Sequence, residues 1–408
     1  MRYTLTNVCV VGGGAAGVMA AISAAENGAD VTILEKNEKL HKKLFITGKG
    51  RCNITNTAYY EDFLRNILRG KKFFMSSFKN FDNYAVMDFF EDNDLKLKEE
   101  RGGRVFPASD KSSDVIKVFE KKINELNINV KQNYEVKDVK KLENSFIIND
   151  SMQFDRIIIN SGGCTYKSTG SSGSMYKIAQ ALGHEVTSIT PGLSAMVTEN
   201  LDLTQLQGVS LINVRLVAKL NKKLIYNDLG EMLFTHFGIS GPLVLSMSSY
   251  LDREQLKDYS VYVDLKPALS EEKLYNRIAR DFENEPKRTM KNVLRRLLPA
   301  AIIDSVLNKA NISGDTVCNQ VNAKQRQELV KTLKFFIIRI KDFYKLDMAI
   351  VTRGGINLKE INPKTMESKI VPGLFFAGEI LDIDALTGGY NLQVAFSTGH
   401  CAGKYSAT

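Results

Sequence analysis

Val8-Cys9-Val10-Val11-Gly12-Gly13-Gly14-Ala15-Ala16-Gly17 joins an apolar strand to a turn of the form GxGxxG. The helical pattern that follows, from about Ala15 to Asn27, stops at Gly28, and Val31-Thr32-Ile33-Leu34 reads as a second buried strand. Strand, glycine turn, helix and strand make a βαβ unit, which requires a parallel sheet. Within it Gly12 makes the turn, Gly14 lets a diphosphate approach the backbone, and Gly17 permits close packing of helix on strand. Glu35 follows Gly12 by 23 residues, at the end of the second strand, where a carboxylate meets ribose hydroxyls. A negative residue there disfavours a 2′-phosphate, so the motif predicts FAD or NAD in preference to NADP.

Downstream, Thr47 to Asn56 is a polar loop containing glycines, and helices are expected over Tyr60–Leu68, Lys71–Phe78 and Asn83–Asp92. Val130–Phe154 reads as a small antiparallel meander, and Arg156–Asn160 as a buried strand ending at Ser161-Gly162-Gly163. A helix over Ser174–Leu182 precedes Pro191-Gly192, a hinge out of the first domain. Alternation in Ser210–Ala218 and Tyr259–Leu265 makes Leu193–Leu265 β-rich, and Ser270–Leu333 is helical before a strand returns over Phe335–Phe343. The tail carries a strand, Leu374–Ala377, then Gly378-Glu379, Gly388-Gly389-Tyr390-Asn391 and a last helix to about Ala402.

At 408 residues the chain can bury a large core, and 44% hydrophobic with 25% charged residues is ordinary globular composition. No run reaches the ~20 apolar residues of a membrane span. The five cysteines are scattered and include no CxxC pair, so neither a zinc cage nor a dithiol centre is expected, and no metal. A reducing, cytoplasmic setting fits. The net charge is +9, and Ser270–Lys345 alone carries 16 Lys/Arg against 9 Asp/Glu.

One βαβ unit holds only the ADP half of a dinucleotide. The C-terminal block supplies a second contribution, because a helix opening at Gly388-Gly389-Tyr390-Asn391 can aim its positive end at a flavin ring. Together with Thr47-Gly48-Lys49-Gly50-Arg51-Cys52-Asn53-Ile54-Thr55-Asn56, Gly103-Arg104-Val105-Phe106-Pro107, Gly230-Glu231 through Phe234-Thr235-His236 to Ser240-Gly241-Pro242, and Thr365-Met366-Glu367-Ser368-Lys369, these strings resemble a family of FAD-binding flavoproteins. That family includes aminoacetone oxidases and the BaiN-type proteins linked to bile-acid dehydroxylation. One departure is Ser174-Met175, where an acidic residue and a glycine are usual.

The resemblance implies an α/β fold with a Rossmann-like, glutathione-reductase-like FAD domain from both chain ends, residues 1–191 and 346–408. It implies an inserted β-barrel-like domain, 192–268 with 334–345, and a small helical domain, 269–333. It also implies non-covalent FAD, with Thr47 to Asn53 near the flavin and the diphosphate. The expected cofactor-binding set is Gly12, Gly14, Ala15, Ala16, Gly17, Glu35, Lys36, Thr47, Gly48, Lys49, Gly50, Arg51, Cys52, Asn53, Gly162, Gly163, Gly378, Glu379, Asp382, Gly388, Gly389, Tyr390, Asn391 and Leu392. Lys49 and Arg51 can neutralise phosphate or flavin charge.

Among further candidates, His236 is read as a proton donor or a structural histidine, and Tyr390 as a catalytic hydroxyl or a core ring. Cys52 and Cys164 are read as flavin-adjacent thiols or small packed residues, and Arg104 as an acid-binding or ion-paired group. The leading expectation is an FAD-dependent oxidoreductase exchanging hydride at flavin N5 with a small organic substrate. Without a second GxGxxG, NADH or NADPH would visit transiently. The rival is a nucleic-acid-associated flavoprotein, RNA-modifying or non-catalytic, using basic pairs such as Lys287-Arg288 and Arg295-Arg296.

Overall fold

The computed structural model describes residues 5–199 and 201–408. It forms two compact units, Met1–Gly192 with Leu346–Thr408, and Leu193–Lys345.

In the first unit, the apolar runs Val8–Val11 and Ile157–Ile159 are buried on both faces, as a central parallel sheet requires. The sheet has five parallel strands in the order Leu374–Phe376, Arg156–Ile159, Asn7–Val11, Asp30–Leu34 and Asn129–Lys131. Strand Asn7–Val11 lies between its successor in the chain and the much later Arg156–Ile159, so connections diverge there. The carboxyl ends at such a switch point form the crevice in which α/β sheets bind ligands. Because all five strands run the same way, Gly12, Glu35, Asn160 and Ala377 all emerge on one edge.

The expected meander is corrected in part. Asn129–Lys131 follows an amphipathic helix, Ser112–Glu125, which the sequence reading did not single out; this crossover delivers the strand parallel to Asp30–Leu34. Only Val139–Lys141, Phe146–Ile148 and Met152–Phe154 make an antiparallel meander.

The first helix, Ala15–Glu26, and the last, Tyr390–Ser406, meet through small residues. A Cβ on Gly399 would collide with the Ala16 carbonyl, and one on Gly403 with the Ala20 carbonyl. Their four-residue spacing keeps both glycines on one face. Ser23 Oγ also donates to the His400 carbonyl at 2.9 Å.

In the second unit a seven-stranded antiparallel sheet runs Phe336–Ile338, Tyr259–Asp264, Ser210–Leu220, Lys223–Thr235, Gly238–Ser240, Met196–Thr198, Ile340–Phe343. The two edge strands are separated in the chain by Arg339 alone, which brings the edges together at one corner. Helices Glu271–Asn284, Met290–Leu294, Ala300–Lys309 and Ala323–Lys334 lie between Tyr259–Asp264 and Phe336–Ile338 in the chain. Their Ile278, Ile302 and Leu329 share one hydrophobic core with Leu216, Val263 and Phe336 of the sheet, so sheet and helices form a single unit here.

The contact between first and last helices has a direct test. Gly403→Val should cost about 1–3 kcal/mol, as overpacking does, and lower the thermal unfolding midpoint. An unchanged midpoint would show that the helices can separate at no cost.

Candidate functional site

Three glycines behave as the spacing requires. Gly12 adopts φ +107°, a Cβ on Gly17 would collide with the Gly12 carbonyl and Asn160 Oδ1, and a Cβ on Gly14 would meet nothing within 4 Å. The backbone at Gly14 thus faces open space at the start of the first helix. No side chain caps that helix, leaving its first N–H groups for an anion.

Glu35 is buried at the end of its strand. Oε2 accepts the Gly13 N–H at 2.8 Å, and Oε1 accepts the Asn37 backbone and side-chain N–H groups at 2.8 and 2.6 Å. A carboxylate has about four acceptor sites, so Oε2 retains capacity for a ribose hydroxyl. Against Gly12 and Gly17, Asn160 is buried with both amide atoms unpartnered, a polar group whose hydrogen bonds only a ligand or solvent can complete. Ala15 and Ala16 open the helix, with Ala16 under Gly378. Lys36 donates to Ser172 Oγ at 2.9 Å.

Glu379 is the hub of the C-terminal half. Oε2 pairs with Lys43 Nζ at 2.7 Å, and Oε1 accepts the Thr352 N–H at 2.8 Å and the Thr165 hydroxyl at 3.3 Å. Burial pushes this carboxyl up, but the Lys43 ammonium and the Thr352 bonds hold it below the usual range. Gly162 and Gly163 run along this network, since a Cβ on Gly163 would collide with Thr352 Oγ1. Lys43, Thr165 and Asn160 escaped the sequence reading because each acquires its role across more than a hundred residues of chain, and Thr352 because its loop reaches Glu379 only in the fold.

The loop Thr47–Asn56 is locked to the last helix. With its amide oriented by its neighbours, Asn53 donates to the Val105 and Thr55 carbonyls and accepts the Gly389 N–H at 3.0 Å. Asn56 Nδ2 donates to the Gly388 carbonyl at 3.1 Å, and Thr55 Oγ1 donates to Gln393 Oε1 at 2.6 Å. Lys49 and Cys52 take φ near +59°, a left-handed backbone that costs side-chain-bearing residues of order 1–3 kcal/mol each and concentrates at functional sites. Thr47 Oγ1 donates to the Leu44 carbonyl at 2.7 Å, and Gly48, Lys49 and Gly50 form the loop tip, with Lys49 exposed.

Several expectations change. Arg51 is not available for phosphate: its guanidinium pairs with Glu100 and Asp110 and lies 4.2 Å from the Phe106 ring centroid. Arg104 is likewise paired, with Glu100 at 3.6 Å. Cys52 is fully buried and its thiol is pushed up to about 12 by burial, which makes it a packed residue rather than a thiolate. Burial also raises Cys164. The Tyr390 ring packs in the core, edge-on to Phe63 at 4.8 Å. Asn391 braces the preceding loop through the Ala385 N–H and carbonyl, and Leu392 packs half-buried against the core. Asp382 accepts from Thr187 Oγ1 at 3.0 Å and keeps Oδ1 unpartnered. His236 sits in the second unit, exposed at the tip of a turn and edge-on to Phe237. Among the described residues no cluster could hold a metal, and no helix is long and apolar enough to cross a membrane.

An uncapped helix start behind a glycine turn, with the buried Glu35 carboxylate bonded to that turn and a second uncapped helix start in the same unit, marks an FAD-dependent oxidoreductase. The chain belongs to the HI0933-like family, whose Rossmann-domain profile matches residues 6–405. It is 31% identical to a 3-dehydro-bile acid delta(4,6)-reductase of Clostridium scindens, over 99% of each chain. It is 27% identical to a ribosomal RNA dihydrouridine synthase of Escherichia coli, over 95% of each chain. In fold it resembles 3-ketosteroid delta1-dehydrogenase of Sterolibacterium denitrificans, with TM-score 0.52 and 12% identity over 99% of this chain and 100% of that one.

Glu35→Gln keeps the shape and removes the charge. Hydrogen bonds to a charged group contribute about 1.5–3 kcal/mol, so FAD affinity should fall roughly tenfold to hundredfold in a flavin-fluorescence titration. Undiminished affinity would show that Glu35 does not meet the cofactor.

Asp384 offers a pH test. Its carboxyl is 1% exposed, has no hydrogen-bond donor and is pushed up to about 7 by burial and the nearby Asp382, against the pull of Arg69. The folded protein therefore holds a proton that the unfolded chain releases above ~4, and this residue's contribution to stability falls from pH 4 to 7. Asp384→Asn lacks that loss, so its gain in unfolding midpoint over the parent should widen across this interval and level off above it.

Proposed function

We propose that the protein is an NAD(P)H-dependent flavin reductase that saturates a carbon–carbon double bond conjugated with a carbonyl. One observation carries this: two full-length relatives with unlike substrates are named for the same bond change. A 3-oxo steroid with 4,6-unsaturation and a uracil ring both present a β-carbon that accepts hydride and an α-carbon that accepts a proton. The nicotinamide is the two-electron donor, and the substrate gains one hydride and one proton.

FAD, when bound, supplies hydride exchange at its N5 atom. The Gly12–Gly17 turn and the first helix hold the diphosphate, and Glu35 orients the ADP ribose. The start of the last helix, held by Asn53 and Asn56, places N–H groups where negative charge is stabilised. His236 is the proton donor in this reading. Of the four histidines it alone is exposed: His41 and His184 are buried and His400 is half-buried.

The test is anaerobic reduction of the flavin by NADH and NADPH, then turnover of a conjugated enone such as 2-cyclohexenone. Bleaching followed by enone-dependent reoxidation is expected. Flavin that neither nicotinamide reduces, or reduced flavin indifferent to enones, would overturn the reading. His236→Gln should slow turnover by about 10²-fold, the usual contribution of a general acid, with flavin reduction unaffected. Equal turnover would remove His236 from the reaction.

A further inference from the structure

One face of the second unit's sheet is turned outward. Alternation along strand Ser210–Leu220 sends Val214, Leu216 and Ala218 into the core and leaves Arg215, Val217 and Lys219 on the opposite side. In register with that row stand Leu229, Asn227 and Leu224 of the strand paired on one side, and Asp264 and Tyr262 of the strand paired on the other. Ile337 lies opposite Tyr262, and Phe335 precedes that edge strand. The face is therefore apolar across four strands, and its Leu224, Leu229, Phe335 and Ile337 are each 44–57% exposed. Contiguous exposed apolar residues of this kind mark an interaction surface, whereas single ones do not.

Cations border the apolar centre. Lys222 sits in the turn between the two long strands, beside Arg215 and Lys219. Among the described residues, no carboxylate pairs with Arg215, Lys219 or Lys222, and Arg215 bonds only the neutral Asn227 amide, at 3.0 Å. Asp264 is already neutralised by Lys334 at 2.6 Å, and Glu231, two residues beyond Leu229, ends the patch. The helical segment differs: there Arg288 and Arg296 both pair with Glu285, Lys291 with Asp304, and Arg277 with Asp281.

We infer that this face docks the protein on an anionic lipid bilayer, with Leu224, Leu229, Phe335 and Ile337 entering the boundary between headgroups and acyl chains and Arg215, Lys219 and Lys222 meeting lipid phosphates. Charge selects this occupant. A second copy of the chain would set unpaired cations against unpaired cations, while an anionic surface attracts them and the net charge of +9 behind them. Breadth selects it too, since Leu229 and Ile337 stand outside the 470 Å³ cavity that Arg215, Lys219, Lys222, Tyr262 and Phe335 border. Interfacial binding strengthens with both buried apolar area and attraction to anionic lipid, and this face offers the two together. The long stems of Lys219 and Lys222 let their charges reach phosphates while the aliphatic tips insert. Docking of this kind is independent of which double bond the flavin reduces.

The test is sedimentation of the FAD-loaded protein with vesicles of phosphatidylglycerol and phosphatidylcholine, and with vesicles of phosphatidylcholine alone, in 100 mM KCl. Binding to the first and not to the second is expected, with release as KCl is raised to 500 mM. Lys219→Gln and Lys222→Gln should each weaken binding about fivefold, and Leu229→Gln and Ile337→Gln roughly fivefold to tenfold. Lys287→Gln on the helical segment should leave it unchanged. Unaltered flavin spectra and melting curves establish that the variants are folded. No sedimentation with the anionic vesicles, equal sedimentation with both kinds, or binding that survives all four sheet-face substitutions would overturn the inference. So would a dimer in analytical ultracentrifugation that Ile337→Gln dissociates, which assigns the face to a second copy, or binding to soluble polyglutamate in place of vesicles, which assigns it to an acidic chain.

Discussion

The backbone of the last helix rests directly on that of the first, because Gly399 and Gly403 leave no side chain between them and the Ala16 and Ala20 carbonyls. Two segments almost four hundred residues apart are thereby held in one register. The consequence is chemical as well as mechanical. Both helices start without a side-chain cap, so their free N–H groups belong to the same unit and can serve one elongated, anionic cofactor. The parallel sheet adds the remaining groups, since Gly12, Glu35, Asn160 and Glu379 all follow the carboxyl ends of its strands.

Around this clasp the polar network is closed by residues from distant segments. Asn53 and Asn56 hold the Gly388-Gly389 turn, while Lys43, Thr165 and Thr352 converge on Glu379. Left-handed backbone at Lys49 and Cys52 persists because both ends of that loop are fixed. Strain of this kind is maintained by surrounding structure, and here it borders the face on which the cofactor would lie.

Much of the first unit is legible in the sequence because its determinants are local. Gly12, Gly14, Gly17 and Glu35 carry their roles in their spacing, and strand apolarity marks Val8–Val11 and Ile157–Ile159. What cannot be read depends on long-range geometry. Arg51 reads as a phosphate ligand within GKGRCN, yet Glu100 and Asp110 arrive on a separate hairpin to neutralise it. Tyr390 reads equally as a catalytic hydroxyl or a core ring, and only the position of Phe63 shows where its ring packs. The long strand Lys223–Thr235 is hard to read because its exposed residues blur the alternation. The basic helical segment resembles a binding surface in sequence, whereas in the fold its acids stand beside its arginines.

The central claim is that both chain ends build one FAD site. Its most direct measurement is titration of the FAD-free protein with FAD, followed by quenching of flavin fluorescence, in the presence and absence of ADP. The account predicts one FAD per chain, displaced competitively by ADP through the Gly12–Glu35 half. Absence of saturable flavin binding, or binding indifferent to ADP, would contradict it.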